Sequence, residues 1–222
     1  MRSVNWDRFQ DLMINATLET LYMVALAAIF TVAIGLPVGV LLFLTRKEGI
    51  IPNRTLSVVL NCVVNIGRAL PFVILLIAMI PVTRLIVGTA LGSTAAVVPI
   101  TLGAFPFFSR IVENALDEVD RGRIEAVISM GGSHWHIVSR VLLPEALPAL
   151  VAGITLTTVM LIGFSAMAGV VGGGGLGDLA IRYGYQRFDN TLMAATVIVL
   201  LLLVLLVQKS GDRLVRSLAY RR

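Results

Sequence analysis

The chain has 222 residues, of which 57% are hydrophobic and only 14% are charged. A soluble domain of this length cannot bury so much apolar surface, so the composition excludes a soluble protein and indicates one that lies in a bilayer. The formal net charge is +5, which in a membrane protein reflects the Lys and Arg of cytoplasmic segments rather than a nucleic-acid partner. The single cysteine, Cys62, excludes a disulfide framework within one chain.

Long apolar runs predict five membrane-spanning helices, because a hydrocarbon core about 30 Å thick needs roughly 20 apolar helical residues. The second run differs from the others in containing a charged residue, Arg68. The predicted spans lie at about 18–44, 57–81, 88–108, 146–168 and 190–208. We therefore expect a single all-α membrane domain over residues 1–222.

The basic residues predict how this domain is oriented, since cytoplasmic segments carry an excess of Lys and Arg. An odd number of spans places the two termini on opposite sides of the membrane. With the N-terminus outside, 12 Lys and Arg fall in inner segments, including Arg221 and Arg222, and five fall in outer segments, including Arg2 and Arg8. We expect an outer N-terminus, a cytoplasmic C-terminus and a cytoplasmic segment at about 109–145.

Polar residues form a stripe along the second predicted span. Ser57, Asn61, Asn65 and Arg68 follow one another at steps of four, four and three, so they share one helix face. An arginine inside a span favours a water-filled pathway or gate. The alternative is that the asparagines bond neighbouring helices while the arginine pairs with carbonyls or reaches an interface. The pathway or gate candidates are Asn61, Asn65, Arg68, Ser165 and Met167.

The cytoplasmic segment at 109–145 is predicted to form two short helices joined by a turn. Gly131 and Gly132 end the first helix, Ser133 can cap the second, and Pro144 is expected to end it. One interpretation is an amphipathic segment that rests on the bilayer. Residues 113–125 carry five acidic and two basic side chains, which an anionic inner leaflet would repel, so this composition favours a protein partner.

In this segment Glu125 and Ala126 are followed by Gly131, six residues after the glutamate, and then by Val141, Leu143 and Pro144. This spacing resembles the EAA motif of the inner-membrane permease subunits of prokaryotic ABC importers, with Val127 in place of the family's third-position alanine. The resemblance assigns contact with the ATPase to Glu125, Ala126, Gly131, Val141, Leu143 and Pro144. Residues 35–46, 70–89, 141–151, 163–180 and 211–216 also resemble the permeases of methionine importers.

The resemblance implies the type I importer permease fold, a bacterial inner-membrane location and transport by alternating access. It also implies a homodimer, two ABC ATPase subunits that bind ATP and Mg, an extracytoplasmic substrate-binding lipoprotein, and an amino-acid substrate, most closely L- and D-methionine. The chain contains no GxxxxGK[ST] phosphate loop, so ATP hydrolysis is expected in a separate subunit and no cofactor or enzymatic activity in this one.

A glycine run at 172–177 follows the fourth predicted span on the outer side. It formally satisfies GxGxxG, but it follows a membrane helix instead of a strand, which excludes a dinucleotide site. An outer gate or a docking surface for the binding protein fits this position, and a flexible outer loop is the alternative. The outer contact candidates are Gly174, Gly175, Asp178, Arg182 and Tyr185.

The sequence bears on three other functions. His134 and His136 are two residues apart and do not share a helix face, so no metal site is expected. An ion-coupled secondary transporter would need an ion site, often of carboxylates near the middle of the bilayer, which the predicted spans do not supply. A permease for another amino acid or small nutrient stays open, because the residues carry no readable specificity code.

Overall fold

The computed structural model describes residues 6–219, and it describes side chains for residues 9–218. The described residues are helical throughout, with short connections. Four basic residues from the count that predicts the orientation lie outside these ranges. They are Arg2, Arg221 and Arg222, together with the side chain of Arg8. The helices are α1 (Trp6–Thr45), α2 (Arg54–Ala69), α3 (Phe72–Ala78), α4 (Ile80–Val87), α5 (Ser93–Asp117), α6 (Arg121–Ser129), α7 (His134–His136), π1 (Ile137–Leu142), α8 (Leu143–Val170), α9 (Gly175–Leu179), π2 (Ala180–Tyr185) and α10 (Asn190–Ala219).

Four of these helical stretches are long and apolar enough to cross a membrane. They are α1, α5, α10 and the continuous stretch His134–Val170, which joins α7, π1 and α8. A fifth span results if α2 and α3 are counted together, although the pair is bent by 105°. The prediction of an all-helical membrane protein is therefore confirmed.

The second predicted span is not the single helix that was expected at 57–81. The structure has a break at Leu70 and Pro71 between α2 and α3, and a second break at Met79 before α4. Pro71 has no N–H for the helical ladder, and it pushes the residue before it toward extended backbone. Leu70 accordingly has φ −74° and ψ 128°, so the proline explains the first break.

Other helices are longer than their apolar cores. α1 begins at Trp6 rather than near residue 18, α5 continues to Asp117 rather than 108, and α10 continues to Ala219 rather than 208. Hydropathy marks only the part of a helix that matches the hydrocarbon core. Each of these helices therefore extends past the apolar stretch that predicted it.

The close contact between α1 and α5 forms the spine of the bundle. The two helices run in parallel, as the contacts of Tyr22 with Thr94 and of Gly35 with Phe108 show. A Cβ atom at Gly39 would lie 2.5 Å from the carbonyl oxygen of Ser109. Only small residues permit this approach, which is the usual way in which helices pack within lipid.

A buried apolar cluster fixes the cytoplasmic helices to the membrane helices. It unites Phe43 of α1 and Leu116 of α5 with Ile124 of α6, Ile137 of π1 and Leu142 of π1. Phe108, Leu116 and Leu142 have no exposed surface. The segment at 109–145 is thus packed into the bundle rather than lying free on a membrane surface.

Candidate coupling site

The turn between α6 and α7 has the local structure that its residues predict. Asp120 caps α6, since its Oδ1 accepts hydrogen bonds from the backbone N–H groups of Gly122 at 2.7 Å and Arg123 at 3.3 Å. Gly131 has φ +77°, a left-handed conformation that favours glycine. Ser133 caps α7 by accepting from the N–H of His136 at 3.4 Å. The predicted glycine turn and the predicted serine cap are both confirmed.

The structure divides the predicted coupling residues into a surface group and a buried group. Glu125, Ala126, Gly131 and Pro144 are exposed, whereas Val141 is buried and Leu143 is half-buried. The buried residues hold the helices in place and cannot be the first point of contact with a partner. The six residues that the resemblance assigns to the ATPase contact are therefore divided between exposed positions and positions inside the bundle.

Three large apolar side chains on the same surface are exposed. Ile128 is 52% exposed, Met130 is 77% exposed and Trp135 is 74% exposed. Their apolar character could not reveal their direction, because the turn at Gly131 sets the angle between α6 and α7. Together with Glu125, Ala126 and Gly131 they form what we call the coupling surface, an apolar patch of the kind that marks a protein interface.

Ion pairs attach α6 to the membrane helices. Arg121 pairs with Glu48 of the loop after α1 at 3.5 Å, and Arg123 pairs with Glu145 of α8. Beside them, Arg46, which follows α1, donates to Asp117 of α5 at 2.5 Å and so supports the helix that precedes α6. Exposed pairs of this kind stabilise by about 0–1 kcal/mol each, so they orient α6 more than they stabilise it.

Most of the acidic side chains in residues 113–125 already have a partner within the chain. Glu113 pairs with Arg110, Asp117 pairs with Arg46, and Asp120 caps α6. In the part of the chain that the structure describes, Glu118 and Glu125 have neither a hydrogen bond nor an ion pair through their carboxylates. Of these two, Glu125 alone belongs to the coupling surface.

A cavity of about 460 Å³ opens beside Glu125. It lies between the loop after α1, the end of α5 and the helices α6 and α7. Its polar and charged lining consists of Arg46, Glu48, Asp117, Arg121, Glu125 and His134. A basic side chain of a partner that entered this cavity would meet an unpaired carboxylate.

The helix after the coupling surface does not end at Pro144 as expected. It continues from His134 to Val170, a stretch of 37 residues that is about 55 Å long at about 1.5 Å per residue. Pro144 lies in the first turn of α8, where a missing N–H is tolerated, and the wider π-helical turn of π1 precedes it. Trp135 of the coupling surface is therefore joined to a membrane span without a break, and α6 reaches this helix through the turn at Gly131.

The polar stripe of α2 meets a partner on α5. Nη2 of Arg110 donates to Oδ1 of Asn61 at 3.0 Å and to Oδ1 of Asn65 at 3.1 Å, and Nη1 donates to Glu113 at 2.5 Å. Arg68 is exposed in the last turn of α2, and it has no ion pair among the described residues. The asparagines thus join two helices, as the packing alternative held.

The other two pathway candidates lie elsewhere. Ser165 is buried on α8, and its hydroxyl donates to the carbonyl of Ile162 at 2.7 Å. Met167 is 46% exposed. Both lie near the outer end of α8, whereas Asn61 and Asn65 lie in the middle of α2 and bond Arg110 of α5, so the five candidates fall in separate groups.

The outer glycine run is folded against the bundle. The N–H of Gly175 donates to the carboxylate of Glu19 at 2.6 Å, and the N–H of Leu176 donates to Oγ1 of Thr20 at 2.9 Å. Gly172, Gly174 and Gly175 have φ values of +86°, +79° and +73°. A Cβ atom on Gly177 would collide with the backbone of Ala166. The glycines therefore serve a tight, packed turn, and the flexible-loop alternative does not describe it.

Burial corrects the predicted outer contact. Gly175 and Asp178 are buried, so neither residue is accessible to an outer partner. Asp178 pairs with Arg182, and this hydrogen bond raises the pKa of the Arg182 guanidinium. Arg182 and Tyr185 stay exposed. Phe188, which the sequence pattern did not single out, is 84% exposed at φ +56°.

The histidine pair has a structural explanation. Nδ1 of His136 lies 2.7 Å from Oγ of Ser133, at the start of α7. Among the described residues there is no group of three or more His, Cys, Asp or Glu side chains that could hold a metal ion.

Several apolar spans and a cytoplasmic helix pair joined rigidly to one of them define the class of membrane-embedded transport permeases. Residues 35–221 match the family described as the binding-protein-dependent transport system inner membrane component. The chain belongs to this family. It is the multi-pass inner-membrane permease subunit of an ABC importer and not an enzyme.

Named relatives cover nearly the whole chain. The "Probable D-methionine transport system permease protein MetI" of Vibrio cholerae serotype O1 is 54% identical over 95% of this chain and 94% of its own. The "D-methionine transport system permease protein MetI" of Escherichia coli K12 is 50% identical over 93% of this chain and 95% of its own.

Solved structures agree with this fold. A chain of the structure described as "Inward facing conformations of the MetNI methionine ABC transporter" has a TM-score of 0.92 and 50% identity, covering 93% of this chain and 96% of that one. An amino acid ABC transporter crystallised with histidines has a TM-score of 0.75 at 17% identity, over 100% of this chain and 99% of that one, and supports the fold alone.

We predict that the left-handed backbone of Gly131 is required for the coupling surface. The space beside it is open, so the constraint is the φ value and not a clash. Gly131→Val should strain the turn by about 1–3 kcal/mol and lower uptake strongly, whereas Gly131→Asn should retain most uptake, because asparagine tolerates this region. Equal uptake by the two variants at equal membrane abundance would contradict the prediction.

Proposed function

We propose that the importer to which this permease belongs carries methionine, in both the L and the D form, into the cytoplasm. The observation that carries this proposal is the similarity to methionine permeases along the entire chain. Identity reaches 54% over 95% of the chain with a relative named for D-methionine, and the fold matches a methionine transporter with a TM-score of 0.92. A similarity confined to residues 109–145 would support an ABC importer permease but would not indicate its substrate.

The proposed assembly contains a second copy of this chain, two ABC ATPase subunits that bind ATP and Mg, and an extracytoplasmic substrate-binding lipoprotein. Large apolar side chains are exposed along α2 and α3, among them Val58, Val63, Ile66 and Ile74. Lipid or a second copy would cover this face. Four or five spans form a thin wall around a pathway, which favours a pair of chains.

The coupling surface is proposed to bind a cleft of the ATPase. Met130 and Trp135 supply exposed apolar contacts, Ala126 allows close approach, and Glu125 offers an unpaired carboxylate to a basic group. Closure of the ATPases on ATP would move this surface, and the unbroken helix from His134 would carry the motion into the membrane. Because this helix has no loop at which it could bend, a displacement of its cytoplasmic end moves the membrane span as well. Such a movement of the span would produce alternating access.

The outer contact with the binding protein is proposed to involve Arg182 and Tyr185, beside Gly174, with Phe188 added. Arginine and aromatic side chains dominate the binding energy of many protein interfaces. A bulky residue at φ +56° costs conformational energy, and such strain clusters at functional sites. Stimulation of ATP hydrolysis by the binding protein measures this contact.

The first test is uptake of labelled L- and D-methionine in cells that lack their own methionine importer. Expression of this permease with its ATPase and binding protein should restore uptake of both forms. Histidine and cystine serve as competitors, and neither should reduce methionine uptake at equal concentration. Restored uptake of histidine or cystine in place of methionine would overturn the substrate and leave the architecture unchanged.

A second test reverses the charge of two acidic residues. Glu125→Lys should detach or uncouple the ATPase and lower uptake at least about tenfold, a factor that corresponds to about 1.4 kcal/mol. Glu118→Lys is the matched control, because Glu118 is also exposed and unpaired in the described residues but lies outside the coupling surface. Copurification of the ATPase and uptake are measured together. Similar uptake by both variants would contradict the role of Glu125.

A third test concerns the pathway. We propose that Arg68 and Met167, which are exposed in the single chain, line the pathway of the assembled pair. Arg68 lies at the break between α2 and α3, where irregular backbone in a membrane protein usually faces protein or water. Arg68→Ala should lower uptake at wild-type membrane abundance. Uptake at the wild-type rate would remove Arg68 from the pathway.

A further inference from the structure

A half-buried arginine on α5 holds α2. The side chain of Arg110 is 22% exposed and that of Glu113 is 14% exposed. One terminal nitrogen of Arg110 donates to both Asn61 and Asn65, which lie one turn apart on α2, and the other donates to Glu113. A single guanidinium group is therefore shared between a carboxylate of its own helix and two amide groups of the next.

This contact lies on a direct route from the coupling surface. α5 is a continuous helix to Asp117, and Asp120 caps α6 three residues later. Arg110 is two turns before the end of α5, so a displacement of α6 reaches it through one helix. On the other side, α2 ends at the break near Pro71. The contact thus joins the helix that leads to the ATPase to the helix that leads to the break.

The distribution of charge makes the contact easy to release. A buried arginine must stay paired, because an uncompensated charge in a protein interior is strongly destabilising. Glu113 lies three residues after Arg110 on the same helix, so the ion pair between them persists when α2 moves away from α5. Of the polar contacts of Arg110, separation of the helices breaks only the two hydrogen bonds to the neutral asparagines, in addition to the apolar contact of Gly67 with Pro106. A carboxylate on α2 would instead bind Arg110 as a second ion-pair partner and hold the helices together.

We propose that Arg110 is a positioning residue that latches α2 to α5 in this conformation and releases α2 during each transport cycle. The neutral amides of Asn61 and Asn65 are suited to this role because they bind the guanidinium without trapping it. The latch rests on the proposed function, since it needs the ATPase to move α5 through the coupling surface.

The test makes the latch harder to release. Asn65→Asp keeps the size of the side chain and adds a charge that faces Arg110. The variant complex should melt about 2–4 °C higher, because a new ion pair stabilises the closed contact. Initial uptake should fall about tenfold, the factor that corresponds to about 1.4 kcal/mol of added resistance to release. Asn15→Asp is the matched control, since Asn15 is exposed on α1 and has no contact with the latch, and its uptake should equal that of the wild type.

The complementary variant removes the latch and retains the ion pair of Arg110 with Glu113. The double change of Asn61→Ala with Asn65→Ala should leave the chain inserted, while amino acid imported per ATP hydrolysed falls about tenfold. A merely structural contact would lower melting temperature and abundance without changing this ratio.

The outcomes separate the latch from the substrate. Uptake is measured with whichever amino acid the wild type imports, so a cargo other than methionine overturns the substrate proposal and leaves the latch measurable. A higher melting temperature with wild-type uptake in Asn65→Asp would overturn the latch. An unchanged melting temperature would overturn the contact itself.

Discussion

Every other part of this bundle depends on the close approach of α1 to α5. Within lipid, apolar side chains gain nothing by leaving one hydrocarbon environment for another, so helices associate through packing and interhelical hydrogen bonds. Gly35 and Gly39 bring the backbone of α1 against Phe108, Ser109 and Val112 of α5. Gly153 does the same for α8 at Ile111. The centre of the permease is therefore a glycine-mediated contact between three spans, flanked by buried apolar clusters.

The central position of α5 connects the outer glycine run, α2 and the coupling surface, the three parts to which we assign roles in transport. Its outer end begins beside the glycine run, since the N–H of Gly92 bonds the carbonyl of Gly172 at 2.9 Å. Its inner end leads through Asp120 into the coupling surface. Between these ends, Arg110 binds α2. A helix with contacts at both faces of the membrane and to α2 can convert a push at the cytoplasmic surface into a change at the pathway.

The turn and the cap of the candidate site could be predicted from single residues. The exposure of its other side chains depends on the angles between helices, which no single residue determines. Gly131 and Ser133 predicted their turn and cap, because a left-handed glycine and a capping hydroxyl act within one or two residues. The exposure of Met130 and Trp135 could not be predicted, since it depends on how α6 and α7 are turned against the bundle. Likewise, burial of Asp178 follows from the folding of α9 back onto α8.

The sequence by itself determined the membrane class, the apolar segments, the helical cytoplasmic insertion and the family, because hydropathy, capping and motif spacing are local properties. Pro71 alone could have predicted the break in the second span. The break was not expected because the residues around Pro71 form one continuous apolar run. Only the tertiary structure decided that Asn61 and Asn65 meet Arg110 and that Gly175 is buried. These features are set by contacts between residues far apart in the chain, and packing geometry alone decides which of them meet.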